Sequence, residues 1–120
     1  MITRDRLRAY AAEKAGVTED LPFGPSTCTM KVCGKIFLFI PLDVDDVRCA
    51  LKSDPDRLLE IRERYADVVS GPYLDARHWA TLICNGEIPD AEIYAAIDHS
   101  YDCVVRRLTV KQRATLTAEG

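Results

Sequence analysis

The chain, 120 residues long, lacks the usual marks of an enzyme. It has no glycine-rich phosphate loop, no recognisable catalytic triad and no Cys-x-x-Cys pair. Without them there is no ground for expecting catalysis, a cofactor or a metal centre. The cysteines are five, Cys28, Cys33, Cys49, Cys84 and Cys103, and none has the paired spacing of a structural zinc site. Their odd number and apolar settings read as reduced, mostly buried thiols. No apolar run approaches membrane-spanning length. The N-terminus has no apolar signal-peptide core, so a cytoplasmic protein is expected. Net positive charge is missing too: the formal charge is −3, against the basic balance of a dedicated nucleic-acid binder. No repeat, low-complexity segment or linker interrupts residues 1–120, which predicts one domain.

What is present is an ordinary globular composition, 48% apolar and 29% charged. A chain of this length can bury a core without disulfides. The charge is uneven. Residues 1–15 carry Arg4, Arg6, Arg8 and Lys14 against Asp5 and Glu13, a net of +2. Residues 100–120 carry Arg106, Arg107, Lys111 and Arg113 against Asp102 and Glu119, again +2, which leaves −7 for the middle. Two basic ends on an acidic body form a patch if they meet in space. Otherwise they are solvated helix faces.

Residues 3–15 read as a helix with Thr3 as N-cap, Leu7, Tyr10 and Ala11 on one face, and Gly16 as the stop. Residues 17–26 read as a loop whose Phe23 plugs the core. Residues 27–33 and 35–41 read as strands joined at Cys33-Gly34. A two-residue turn sets Val32 opposite Lys35, Lys31 opposite Ile36 and Met30 opposite Phe37. Cys28, Met30, Val32, Phe37 and Phe39 then face the core, with Thr29, Lys31, Ile36 and Leu38 on the other side. A three-residue turn would shift this register.

After an acidic turn at Asp43, Asp45 and Asp46, residues 46–52 predict a third strand, with Arg48, Ala50 and Lys52 pointing away from the core. Asp54-Pro55 opens a helix that runs to about Tyr65. Residues 78–84 read as a further strand containing Trp79. Pro89 opens a long last helix striped by Ile93, Ile97, Tyr101, Val104 and Leu108, and a short basic tail starts at Thr109. The order is helix, three strands, helix, one or two strands, helix. It predicts an α+β domain, an antiparallel sheet with helices packed on one face.

Several short motifs fall in a fixed order: Pro22-Phe23-Gly24, Lys31-Val32-Cys33-Gly34-Lys35-Ile36-Phe37, Leu51-Lys52-Ser53-Asp54-Pro55, Arg77-His78-Trp79, and Ser100-Tyr101 followed by Val104-Val105 and Leu108. In this, from Leu7 to Arg113, the chain resembles the MmcQ/YjbR family. The resemblance implies a fold similar to that of CyaY, the bacterial frataxin, and DNA binding through a double wing. A frataxin-like iron role would use acidic residues on the first helix. Here that helix carries Arg4, Arg6, Arg8 and Lys14, so no metal is expected.

The DNA-binding candidates are Lys31 and Lys35 at the hairpin tip, Arg48 and Lys52 on strand three, Arg77, and Trp79 as a stacking surface. Lys31, Arg48 and Lys52 form the most coherent predicted surface. The plainer reading is that charges at sheet edges and hairpin tips block edge-to-edge aggregation, and that Trp79 is core. The rival function is a protein-interaction or regulatory module with no nucleic-acid role. A monomer is expected, with DNA or a protein as its partner. His78 and His99 have no helical partner histidine and read as structural. Cys33, between two lysines, is the sole candidate for a reactive thiol.

Overall fold

The computed structural model of the chain describes residues 2–22, 24–71 and 74–119, and side chains up to residue 116. The plug expected of Phe23 lies outside the described residues. Helix α1 (Arg4–Ala12) starts as its sequence predicts, with the Thr3 hydroxyl accepting from the Arg6 N–H. Strands β1 (Val17–Asp20), β2 (Thr27–Val32), β3 (Lys35–Pro41) and β4 (Arg48–Lys52) follow. Then come α2 (Pro55–Arg64), β5 (Val68–Val69), β6 (Trp79–Ile83), α3 (Asp90–Val105) and α4 (Val110–Glu119). The sheet is antiparallel throughout, in the order β1-β2-β3-β4-β6-β5. Helix α3 lies across β3 and β4 on the core side, and α1 packs beside it over β1 and β2. The α+β reading holds.

Three details depart from expectation. First, part of the predicted 17–26 loop is the edge strand β1. Its residues, Val-Thr-Glu-Asp, leave Thr18, Glu19 and Asp20 exposed, so burial gave it no apolar alternation. Second, the 33–34 turn has two residues, with φ of +50° at Cys33 and +77° at Gly34, and it sets Val32 opposite Lys35 and Lys31 opposite Ile36 as expected. Met30, however, pairs with Leu38 rather than Phe37. Phe37 is the extra residue of a bulge, so Phe37, Leu38 and Ile40 are all fully buried. Phe39 turns to the outer face and meets Trp79 edge-on, ring centroids 5.6 Å apart. Third, the basic tail is a full helix. Thr109 and Gln112 cap α4 reciprocally, each side chain accepting from the other's N–H at 3.1 and 3.0 Å.

The core gathers Leu7 and Ala11 of α1, Met30, Phe37 and Ile40 of the sheet, and Ile93, Ile97 and Val104 of α3. Ser100 is one of the fully buried polar groups. The Ser100 hydroxyl of α3 donates to the Phe37 carbonyl at 2.6 Å and accepts from the Lys52 N–H at 2.8 Å. Leu38 pairs with Leu51, so Phe37 and Lys52 are the next pair along the ladder. There the hydroxyl stands in for a direct strand-to-strand bond. Removing it leaves a buried donor and acceptor unpaired. Ser100→Ala is expected to lower stability by roughly 1–3 kcal/mol, read as a lower urea midpoint. An unchanged midpoint would mean that the two strands close on each other without it.

Candidate functional site

The sheet has two electrically different ends. Strand β3 runs about 20 Å from Lys35 at the hairpin tip to Pro41, at the usual rise per residue. The acidic turn Asp43, Asp45 and Asp46 follows at the far end. Arg4 is held there, its guanidinium donating to the carbonyls of Pro41, Val44 and Asp46. Arg48 is there too, doubly bonded to Asp46 at 2.6 and 3.0 Å.

The predicted surface of Lys31, Arg48 and Lys52 is therefore spread out. Alternation puts Lys31 and Arg48 on the sheet's outer face, whereas Lys52, at the close of β4, meets Cys103 and Arg107 from the end of α3. Arg48 and Lys52 stand at opposite ends of β4, about 13 Å apart along the strand. Lys31 lies two strands away and meets Asp20 at 3.4 Å. The basic first helix adds little to a patch. Arg8 pairs with Glu19 at 2.5 Å and Lys14 with Asp98 at 2.5 Å.

The hairpin-tip end is basic. Lys35 is exposed there, after the turn. Lys52 closes β4 directly opposite Trp79, so Arg77 and His78 arrive at the same end. The end of α3 brings Arg106 and Arg107, both exposed. Helix α4 approaches the turn itself, with the Cys33 sulfur 3.9 Å from the Gln112 carbonyl, which brings Lys111 close. The Lys52 ammonium is held below its usual pKa, first by burial and then by the nearby charges of Arg107 and Lys35. Trp79 is half-buried against Phe39, and its carbonyl accepts from Arg62.

A cleft of about 280 Å³ opens at this end between the close of β4, the start of α2 and the close of α3. Beside it lies a polar network that the sequence reading missed. The Asp54 N–H donates to His99 Nε2 at 3.1 Å. Cys103 Sγ lies 3.5 Å from the same nitrogen. Arg106 donates to Asp54 Oδ1 at 2.9 Å and reaches Cys103 Sγ at 3.2 Å. His99 and Cys103 are four apart on α3, a helical spacing that marks one face. Their meeting with Asp54 depends on how α2 docks.

Asp54, His99 and Cys103 each offer a ligand atom within 4.8 Å of the others. The Nε2 lone pair is already taken by a backbone N–H, and the Arg106 guanidinium occupies the approach. The arrangement suits a closed network better than a cation. Burial pushes the Cys103 thiol up, away from thiolate chemistry. Burial lowers the His99 pKa, and Arg57 and Arg106 lower it further against the pull of Asp54 and Asp102. Burial would raise Asp54, but the Arg106 hydrogen bond and charge hold it below its usual range. All five cysteines are free. Of the strand cysteines, Cys49 and Cys84 meet, sulfurs 3.6 Å apart and buried.

The family model for YjbR matches residues 12–103. The chain belongs to the YjbR family. The match takes in the hairpin, β4, α2, β6 and the His99–Cys103 pair, while Arg106 and Arg107 lie just beyond it. This YjbR-family chain is 26% identical to YjbR of Escherichia coli K12 over 115 residues, 96% of this chain and 98% of that one. It is 29% identical to YbdF of Escherichia coli O157:H7 over 92 residues, 77% of this chain and 75% of that one. Among solved structures it superposes on DR2400 of Deinococcus radiodurans, a DUF419 domain, with a TM-score of 0.89 and 28% identity, covering 98% of this chain and 89% of that one. A Pseudomonas syringae protein shares the fold at a TM-score of 0.73 and 19% identity, over 85% of this chain and 98% of that one. No helix among the described residues is long and apolar enough to cross a membrane.

The network fixes a pH dependence. The folded pKa of His99 lies below its ordinary value of 6.5, so on acidification the unfolded chain takes up that proton first. Stability from this group is full above 6.5 and is lost as pH falls toward the lowered folded value. Asp54 adds a second loss at more acid pH, below its ordinary 3.8. His99→Gln, which keeps an acceptor for the Asp54 N–H, is expected to flatten the fall in urea midpoint between pH 7.5 and about 5. Equal slopes in variant and wild type would show that His99 is not the group responsible.

Proposed function

We propose that the protein binds DNA, mainly electrostatically, through the basic end formed by Lys35, Lys52, Arg77, Arg106 and Arg107. The observation that carries this reading is the segregation of charge. These cations outnumber the carboxylates among them, Asp54 and Asp75, at the hairpin-tip end, while the acidic 43–46 turn, with Arg4 and Arg48 on it, stands at the far end of β3. An overall negative protein can present a positive face when the two signs are separated in this way. The contacts are to phosphates, so they position the chain without reading sequence. Trp79 adds an aromatic edge beside Lys52. Lys31 and Arg48, each facing a carboxylate, contribute less.

The role is one of binding rather than catalysis, by a monomer in the cytoplasm. What supports this is the state of the candidate groups. The Cys103 thiol is pushed up by burial, and the His99 Nε2 lone pair is engaged by the Asp54 N–H.

Fluorescence anisotropy with a labelled duplex at low and moderate salt tests the reading. About five phosphate contacts predict a slope near −4 to −5 in log K against log salt. Lys35→Ala with Arg107→Ala is expected to weaken binding and to shrink that slope by about two. Arg48→Ala is expected to leave both unchanged. Absence of binding at low salt would sink the DNA reading. It would turn attention to a protein partner, for which the half-buried Phe39–Trp79 pair on the outer sheet face is the surface to vary.

A further inference from the structure

The cleft at the basic end holds more charge than one backbone phosphate requires. Lys52, Arg106, Arg107 and Asp54 are its charged lining residues, with Ser53 and His78 completing its polar wall. Leaving His78 aside, the lining carries a net of +2. Asp54 stands at the N-cap of α2 yet makes no side-chain capping bond. It is turned instead onto Arg106 at 2.9 Å and toward His99 at 3.6 Å. The start of α2 therefore has Asp56 in its first turn but no side-chain cap, and it lies beside three cationic side chains. Burial is the first cause of the lowered Lys52 pKa, and the charges of Arg107 and Lys35 add to it.

We propose that this cleft is a binding site for a phosphate monoester. A monoester carries close to two negative charges near neutral pH and three terminal oxygens. Those oxygens suit one ammonium and two guanidinium groups, which bond most strongly to a charged acceptor. An internal phosphodiester brings one charge and two free oxygens, and would leave part of the +2 lining uncompensated. Arg106 arrives already oriented by Asp54, so less freedom is lost when the ligand enters. The site uses the same basic end as the DNA reading but does not depend on DNA being the ligand. The monoester has two sources: the 5′-phosphate of a DNA end, or a free phosphorylated small molecule.

Two measurements test this. In the first, amide shifts are followed by NMR as adenosine 5′-monophosphate is added, with adenosine as control. Saturable shifts at Ser53, His78 and Arg107 with the nucleotide but not the nucleoside are expected. Arg107→Gln with Lys52→Gln is expected to weaken that binding about tenfold or more. The same spectra report whether the variant is folded, and Arg107→Gln alone, at an exposed position, is the fallback. No shift with the nucleotide, or binding unchanged in both variants, overturns the proposal.

In the second, anisotropy compares duplexes bearing 5′-phosphate and 5′-hydroxyl ends. Tighter binding of the phosphorylated duplex identifies the DNA end as a source. Equal binding of the two, alongside nucleotide shifts, supports the site and assigns it to a free small molecule. Duplex binding without nucleotide shifts overturns the monoester site and leaves the DNA reading standing. Nucleotide shifts without duplex binding do the reverse.

Discussion

The Ser100 hydroxyl is the joint on which the rest of the basic end depends. Strands β3 and β4 pair directly at Leu38–Leu51 and Phe39–Ala50. At the next pair the ladder is bridged by a side chain from α3 instead. A buried hydroxyl with both bonds made is stable, and one without them is costly, so the helix has little freedom to slide. That fixes where α3 ends. Cys103, Arg106 and Arg107 follow Ser100 by less than two turns, and they arrive over the close of β4 because Ser100 is pinned there. The bulge at Phe37 belongs to the same device. It lets Phe37, Leu38 and Ile40 all be buried while Phe39 faces outward.

The sequence carried the main frame of the fold. Helical periodicity and caps marked α1, α2 and α3, and the Cys33-Gly34 turn set the first pairs of the hairpin. What it did not show has physical reasons. Strand β1 is an edge strand of polar residues, held by backbone bonds to β2 rather than by burial. Helix α4 was readable from the Thr109–Gln112 capping box, since Ser or Thr followed three residues on by Gln or Glu marks a helix start. The bulge is a different matter. One unpaired residue in a strand changes nothing in composition, yet it reverses the inward and outward sense of everything after it.

The site was less legible than the fold. Counting charges located the basic C-terminal segment but not its neighbours. The hairpin lysines, the end of β4 and Arg106–Arg107 come together through strand order and the docking of α3, which are long-range facts. Arg48 shows the limit of arguing from a shared face. Alternation puts it with Lys52, but three residues of extended strand lie between them and Asp46 holds it at the acidic end. The family match adds a boundary: the family model covers the hairpin and His99–Cys103 and stops before Arg106 and Arg107.

The distance between the acidic turn and the hairpin tip also governs how the molecule travels. The cations at the tip and the acidic turn, partly neutralised by Arg4 and Arg48, stand about 20 Å apart and leave the charge of the molecule uneven along β3. Near a polyanion that unevenness exerts a torque which turns the tip forward, against the repulsion felt by the net charge of −3.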